Sequence, residues 1–166
     1  MDENIVRFAF YKPQDFWGWV IAGWTSLFNP GMPKCCHVEV GFFLDGKWMY
    51  YSSASRNYDG TTGTRWIEES LLFKHPKYWD VYEVTPVRPI EDMIRTCDKE
   101  LGKEYDWLGI GGFATIFGRL NDKEKWYCSE ICFYIFYLLW KKRVSPMRLF
   151  SKIKPYILRR VDICIA

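Results

Sequence analysis

From Val38 onward the chain alternates strictly, with Val38, Val40, Phe42 and Leu44 on one face and His37, Glu39, Gly41 and Phe43 on the other. A period of two marks a half-buried strand. Asp45-Gly46 follows, a pair that accepts the positive φ angles of a two-residue hairpin turn. The β-rich residues 47–53 are therefore expected to return antiparallel to the first strand. Pairing outward from the turn sets Glu39 opposite Ser52 and His37 opposite Ala54, so that His37, Glu39, Tyr50 and Ser52 share one face. An extra residue in either strand would turn every later side chain over.

Elsewhere the punctuation is as informative as the periodicity. Residues 5–11 alternate as a first strand, and Pro13-Gln14-Asp15 opens a helix over the apolar residues 16–27 that Asn29-Pro30-Gly31 closes. Residues 56–64 form a polar, Gly-containing loop that leads to a short strand or turn at 65–67. Another strand is expected over residues 79–84, before Pro86 and Pro89, and then a helix over 90–101 that stops at Gly102. Residues 108–117 are Gly-rich and apolar, and their pattern selects no single state. Residues 128–140 are apolar on nearly every side, which predicts a helix buried in the core, and Pro146 and Pro155 punctuate the tail. The sum is a single α+β domain over residues 1–166, an antiparallel sheet packed against a buried helix.

Composition supports that reading. The 166 residues, 49% of them hydrophobic, suffice for one core. Nine Trp, eleven Tyr and twelve Phe suit an ordered globule with aromatic-lined grooves. A net charge of +3 is too small to imply nucleic acid, and Lys141-Lys142-Arg143 and Arg159-Arg160 read as solvated charge. The first twenty residues contain Asp2, Glu3 and Asp15 and lack the pattern of a secretory signal, so synthesis in the cytoplasm is expected. Both long apolar stretches, 16–28 and 131–140, fall short of the about 20 residues that span a bilayer. Six cysteines at irregular spacing with only two histidines fit reduced thiols, with no metal and no cofactor expected.

The chemistry concentrates at two places. Lys34-Cys35-Cys36-His37-Val38-Glu39-Val40 puts a histidine at a strand start, and Lys125-Trp126-Tyr127-Cys128-Ser129-Glu130 puts a cysteine at a helix start. Unpaired N–H groups of a helix's first turn favour thiolate over thiol and can stabilise an oxyanion. A neutral imidazole can take the thiol proton and pass it to a leaving amine, while a third polar group fixes the ring's tautomer. Cys128, His37 and either Glu39 or Ser52 fill those roles. The remaining cysteines, 35, 36, 97, 132 and 164, read as structural, with Cys132 on the same helix side as Cys128 but deeper. His75, in Lys-His-Pro-Lys, reads as a solvated turn.

The run His37-Val-Glu-Val, the Asp-Gly hairpin, Ser52-Ser53-Ala54-Ser55, Gly102-Lys-Glu-Tyr105-Asp106 and Tyr127-Cys128-Ser129-Glu130 resembles the YiiX/YebB-like branch of the NlpC-type papain-like superfamily. That branch is circularly permuted, histidine first and cysteine last, as here. The chain is also similar to phage-encoded members in which a Trp-Thr pair, here Trp24-Thr25, precedes the histidine strand. The resemblance implies a papain-like fold, Cys128 as nucleophile, His37 as base, and Tyr105, Asp106 and Tyr127 at the substrate. Relatives often place a carboxylate or another polar residue where this chain has Ser52, which leaves Glu39 and Ser52 to compete for the orienting role. The resemblance further implies cleavage of amide bonds in peptidoglycan peptides, with a peptide or cell-wall fragment as partner and a host bacterium or virion as the place of action. Two other outcomes are open to the same residues. One is lipid deacylation or acyl transfer at a membrane surface through residues 16–28; the other is a non-catalytic papain-like binding or host-interference module.

Overall fold

A computed structural model describes residues 4–14, 16, 18–19, 22–23, 34–55, 60–106, 125–139 and 144–163. Among them, six strands form one antiparallel sheet: β1 (Val6–Tyr11), β2 (His37–Leu44), β3 (Lys47–Ala54), β4 (Gly63–Glu68), β5 (Trp79–Val84) and β6 (Ile157–Val161). Their spatial order is β4-β3-β2-β1-β5-β6, so the histidine strand lies inside the sheet. Four α-helices are described, α1 (Glu69–Leu72), α2 (Ile90–Lys99), α3 (Cys128–Tyr137) and α4 (Pro146–Ile153). No helix among the described residues is long and apolar enough to cross a membrane.

The hairpin forms as its turn residues require. Asp45 and Gly46 take φ angles of 49° and 82°, the positive pair of a two-residue turn matched to strand twist. Leu44 pairs with Lys47, Phe42 with Met49 and Val40 with Tyr51, the expected register. There the β2–β3 ladder stops. An unbroken ladder would set Val38 opposite Ser53 and Glu39 opposite Ser52; instead the strands part, and the Ser52 hydroxyl donates to the Val38 carbonyl at 2.7 Å. Each strand stays extended because its other neighbour holds it, β1 for His37 to Gly41 and β4 for Met49 to Ala54.

Val38, Val40 and Phe42 enter the main core with Phe8, Phe10 and the apolar side of α3. Eight of the ten residues of α3 are buried, which is why its sequence lacks a polar stripe. Phe136 meets Phe8 edge-on at 5.3 Å, and burial of each such side chain contributes about 1.5–3 kcal/mol. The helix stops where Leu138 turns left-handed, φ 52°. A second cluster, Ala9, Trp48, Tyr50, Phe73 and Val81, forms a separate apolar core.

Several sequence expectations need correction. The short strand or turn at 65–67 is the six-residue β4, and it takes in the end of the expected loop. Its start depends on Gly63, at φ 105°, where an added Cβ would lie 2.2 Å from the Lys103 carbonyl oxygen. In the tail, Pro146 starts α4 instead of breaking it, because the first helical position has no N–H to satisfy. Pro155 lies in a 3-10 turn that feeds β6 onto the sheet edge. Neither α4 nor β6 was expected. Of residues 16–27, the described positions 16, 18, 19, 22 and 23 are helical; Trp24-Thr25, Asn29-Pro30-Gly31, residues 108–117, Lys141-Lys142-Arg143 and Cys164 lie outside the described residues.

Candidate active site

Cys128 is the first residue of α3 and His37 the first of β2, and their side chains interact. The turn before Cys128 is tied down from several sides. The Ser53 hydroxyl donates to the Trp126 carbonyl at 2.8 Å, and Trp126 Nε1 donates to Glu100 Oε2 at 2.7 Å. The Trp126 backbone N–H donates to the Glu104 carbonyl and the Trp126 carbonyl accepts from the Asp106 N–H, and the Tyr127 hydroxyl donates to the Cys36 carbonyl at 3.4 Å. One turn on, the Cys132 thiol lies 3.6 Å from the Val38 carbonyl and 3.9 Å from both the Tyr51 carbonyl and Ser52 Oγ. The helix is thus seated over the place where β2 and β3 part.

The imidazole of His37 interacts by charge and hydrogen bond with both Cys128 and Glu39. Its Nε2 lies 2.7 Å from Glu39 Oε1, which leaves Nδ1 as the nitrogen for the thiol. The His37 side chain is 22% exposed whereas Cys128 and Glu39 are buried, so the ring is the part of this set that reaches solvent. Burial works against a charged ring, but the charge and hydrogen bond of Cys128 and those of Glu39 override it and raise its pKa to about 9. The Trp79 ring stands edge-on to the imidazole, centroids 6.3 Å apart.

Behind Glu39 stands Arg65, a residue that sequence reading did not single out. Its Nη2 donates to Oε1 at 2.6 Å and its Nη1 to Oε2 at 2.8 Å. Burial raises the Glu39 pKa, yet Arg65 and the hydrogen bond from His37 more than compensate, and the carboxyl is held down at about 2. The ladders explain the reach. Ala9 pairs with Glu39, and Ser52 pairs with Arg65, so the guanidinium extends across the small Ser52 to a carboxylate flanked on its other side by alanine. The partial signal in the sequence was an arginine inside a short β pattern, but only the pairing of β3 with β4 puts it in line with Glu39.

Of the two residues considered for the orienting role, only Glu39 meets the ring. Ser52 gives its hydroxyl to the Val38 carbonyl, because the parted strands leave that carbonyl without its ladder partner. Tyr105 and Tyr127 meet at a tilt beside the nucleophile turn with ring centroids 5.9 Å apart, and burial with the nearby Cys128 pushes both phenols well up. Asp106 is fully buried, its backbone N–H donating to the Trp126 carbonyl at 3.1 Å. Cys35, Cys97 and Cys132 are buried thiols whose pKa burial pushes well up. Among the described residues, no group of three His, Cys, Asp or Glu side chains is placed to hold a metal ion.

Comparison of the chain with protein-family models, curated proteins and solved structures finds no match.

Proposed function

We propose that the chain is a cysteine-dependent amide hydrolase of the circularly permuted papain-like type, acting on peptidoglycan peptides. The observation that carries the reading is one ring, His37, hydrogen-bonded through Nε2 to an ionised, buried Glu39 while its other side adjoins the thiol of Cys128. The order of elements supports it, with the histidine strand inside an antiparallel sheet and the cysteine helix following late in the chain.

In this mechanism, His37 Nδ1 takes the Cys128 proton and the thiolate attacks the amide carbonyl carbon. Negative charge moves to the carbonyl oxygen, to which N–H groups of the first turn of α3 are available to donate hydrogen bonds. The imidazolium, steadied by Glu39, gives its proton to the departing amine as the C–N bond breaks. Water then attacks the thioester, His37 takes a proton from it, and the acid leaves as the thiol is restored. The test is alkylation of Cys128 by iodoacetamide near pH 6, read site by site in the wild type and in His37→Ala. Fast labelling that His37→Ala slows about tenfold or more is expected; equal, slow labelling in both would remove the thiol–imidazole couple.

A second reading takes a lipid acyl group as the donor, and one observation favours it. Phe16 and Trp19 stand 73% and 53% exposed, with the Lys34 ammonium 5.6 Å from the Trp19 ring. Aromatic rings beside a cation suit a headgroup region. Liposomes and muropeptides offered separately decide between the donors: fatty acid released without muropeptide cleavage would replace the wall peptide as substrate.

A further inference from the structure

Glu39 is shared by two partners of different kinds. His37 and Arg65 both meet Oε1, at 2.7 and 2.6 Å, and Arg65 alone meets Oε2, at 2.8 Å. The same Nη1 donates to the Ser52 carbonyl at 3.3 Å, which braces the fork against β3. A planar guanidinium on both oxygens removes the carboxylate's freedom to rotate, as a point-like ammonium would not. Oε1 is thereby presented to the imidazole in one direction.

We propose that Arg65 is the positioning residue of this site: acting through Glu39, its fork holds the carboxylate so that His37 carries its proton on Nε2 and turns Nδ1 to Cys128. The inference rests on the thiol–imidazole reading of the site and adds to it a residue that touches neither sulfur nor ring. Among the described residues, the titratable and charged groups around the set are Cys128 and Cys132 from α3, Tyr105 and Tyr127 beside the nucleophile turn, Cys35 ahead of β2, His37 and Glu39 from β2, Tyr11 from β1 and Arg65 from β4; Ala9 of β1, on the far side of Glu39, and Ser52 of β3, between Glu39 and Arg65, are uncharged. Arg65 is therefore the permanent cation of the set among the described residues. Without it, a fully buried Glu39 is driven toward its neutral form. A neutral carboxyl no longer balances the imidazolium, so thiolate forms only at higher pH.

The experiment tracks the acid limb of Cys128 alkylation by iodoacetamide, resolved by peptide mass spectrometry. Arg65→Met is expected to move that limb up by about 1–2 pH units, and Arg65→Lys, which keeps charge but not the fork, by less. The double variant Arg65→Met/Glu39→Gln is expected to move it no further than Glu39→Gln alone, because the effect passes through the carboxylate. A limb that stays in place in folded Arg65→Met, or shifts that simply add, would overturn the proposal and leave Arg65 a structural strut. Should Arg65→Met not fold, the double variant and Arg65→Lys carry the comparison, since neither leaves a buried charge unpaired. A wild-type measurement stands beside them: with only two histidines in the chain, ring NMR of His37 should show the Nε2–H tautomer in its neutral state, and Nδ1–H would overturn the assignment. If His37→Ala labels like the wild type, the thiol–imidazole reading itself fails; a His37-dependent limb indifferent to Arg65 sinks only the positioning role.

Discussion

Two buried glutamates lie two steps apart along β1, Glu39 across from Ala9 and Glu83 across from Arg7, and arginine grips each of them. Glu83 takes Arg7 at 3.1 Å and Arg159 at 2.7 Å, and Arg7 continues to Glu69 and over the Trp48 ring. Burial pushes both carboxyls up, and their cationic partners bring both below the usual range. The difference is the second partner. Glu83 is held between permanent cations, which can neither take nor give a proton near neutral pH. At Glu39 the second partner is an imidazole that adjoins a thiol. A buried carboxylate–guanidinium pair is thus a support in both places, and chemistry enters only where the pair also holds a group that titrates.

The largest expected effect separates these two carboxylates directly. Glu39→Ala should cost about 3–5 kcal/mol in urea denaturation, because it leaves Arg65 charged and unpaired in the interior, and it should abolish His37-dependent labelling of Cys128. Glu83→Ala should cost less, since Arg159 is 72% exposed and can turn to water, and Cys128 should label at the wild-type rate. Equal loss of labelling in both variants would erase the distinction.

Next in size is the pH dependence of stability. Glu39, lowered from 4.5 to about 2, contributes about 3 kcal/mol. That contribution is present above pH 4.5 and lost as pH falls through about 2. His37, raised from 6.5 to about 9, contributes stability that is complete below 6.5 and lost as pH rises through about 9. Denaturation midpoints should therefore fall across that upper window in the wild type and stay flat in His37→Gln. Parallel falls in the two proteins would mean that His37 is not the group responsible.

Ser52→Ala should show the smallest effect. It removes one hydrogen bond to Val38 and should cost about 1 kcal/mol, while the acid limb of Cys128 alkylation keeps its place. A shifted limb would return Ser52 to the orienting role and weaken the case for Glu39 as the working carboxylate.

Local chemistry was legible where short-range rules dominate. Asp45-Gly46 selected the turn, the turn selected the register as far as Val40 and Tyr51, and the apolar run after Cys128 announced its burial. The same rules misled beyond that register, because extrapolating the ladder placed Ser52 beside Glu39 as a rival for the ring. Strand separation is not written in alternation: it depends on β1 and β4 holding the two strands from outside while α3 lays Cys132 over the gap. Arg65 was overlooked for a related reason. A single arginine in a six-residue strand has no local signature, and its partner lies 26 residues away.

By itself, then, the sequence determined that a histidine begins a strand, that a cysteine begins a buried helix, and that a tight turn folds the histidine strand back on its neighbour; the strand expected to be half-buried is covered on both faces from Val38 to Phe42. Turn preference and periodicity act within a few residues and need no partner from far along the chain. Tertiary structure alone decided that Glu39 meets His37, that Ser52 turns to the backbone and that Arg65 closes the set. Those outcomes depend on where β2 parts from β3 and on which buried charges must be matched, and a buried charge finds its partner through the fold, whatever the distance in sequence.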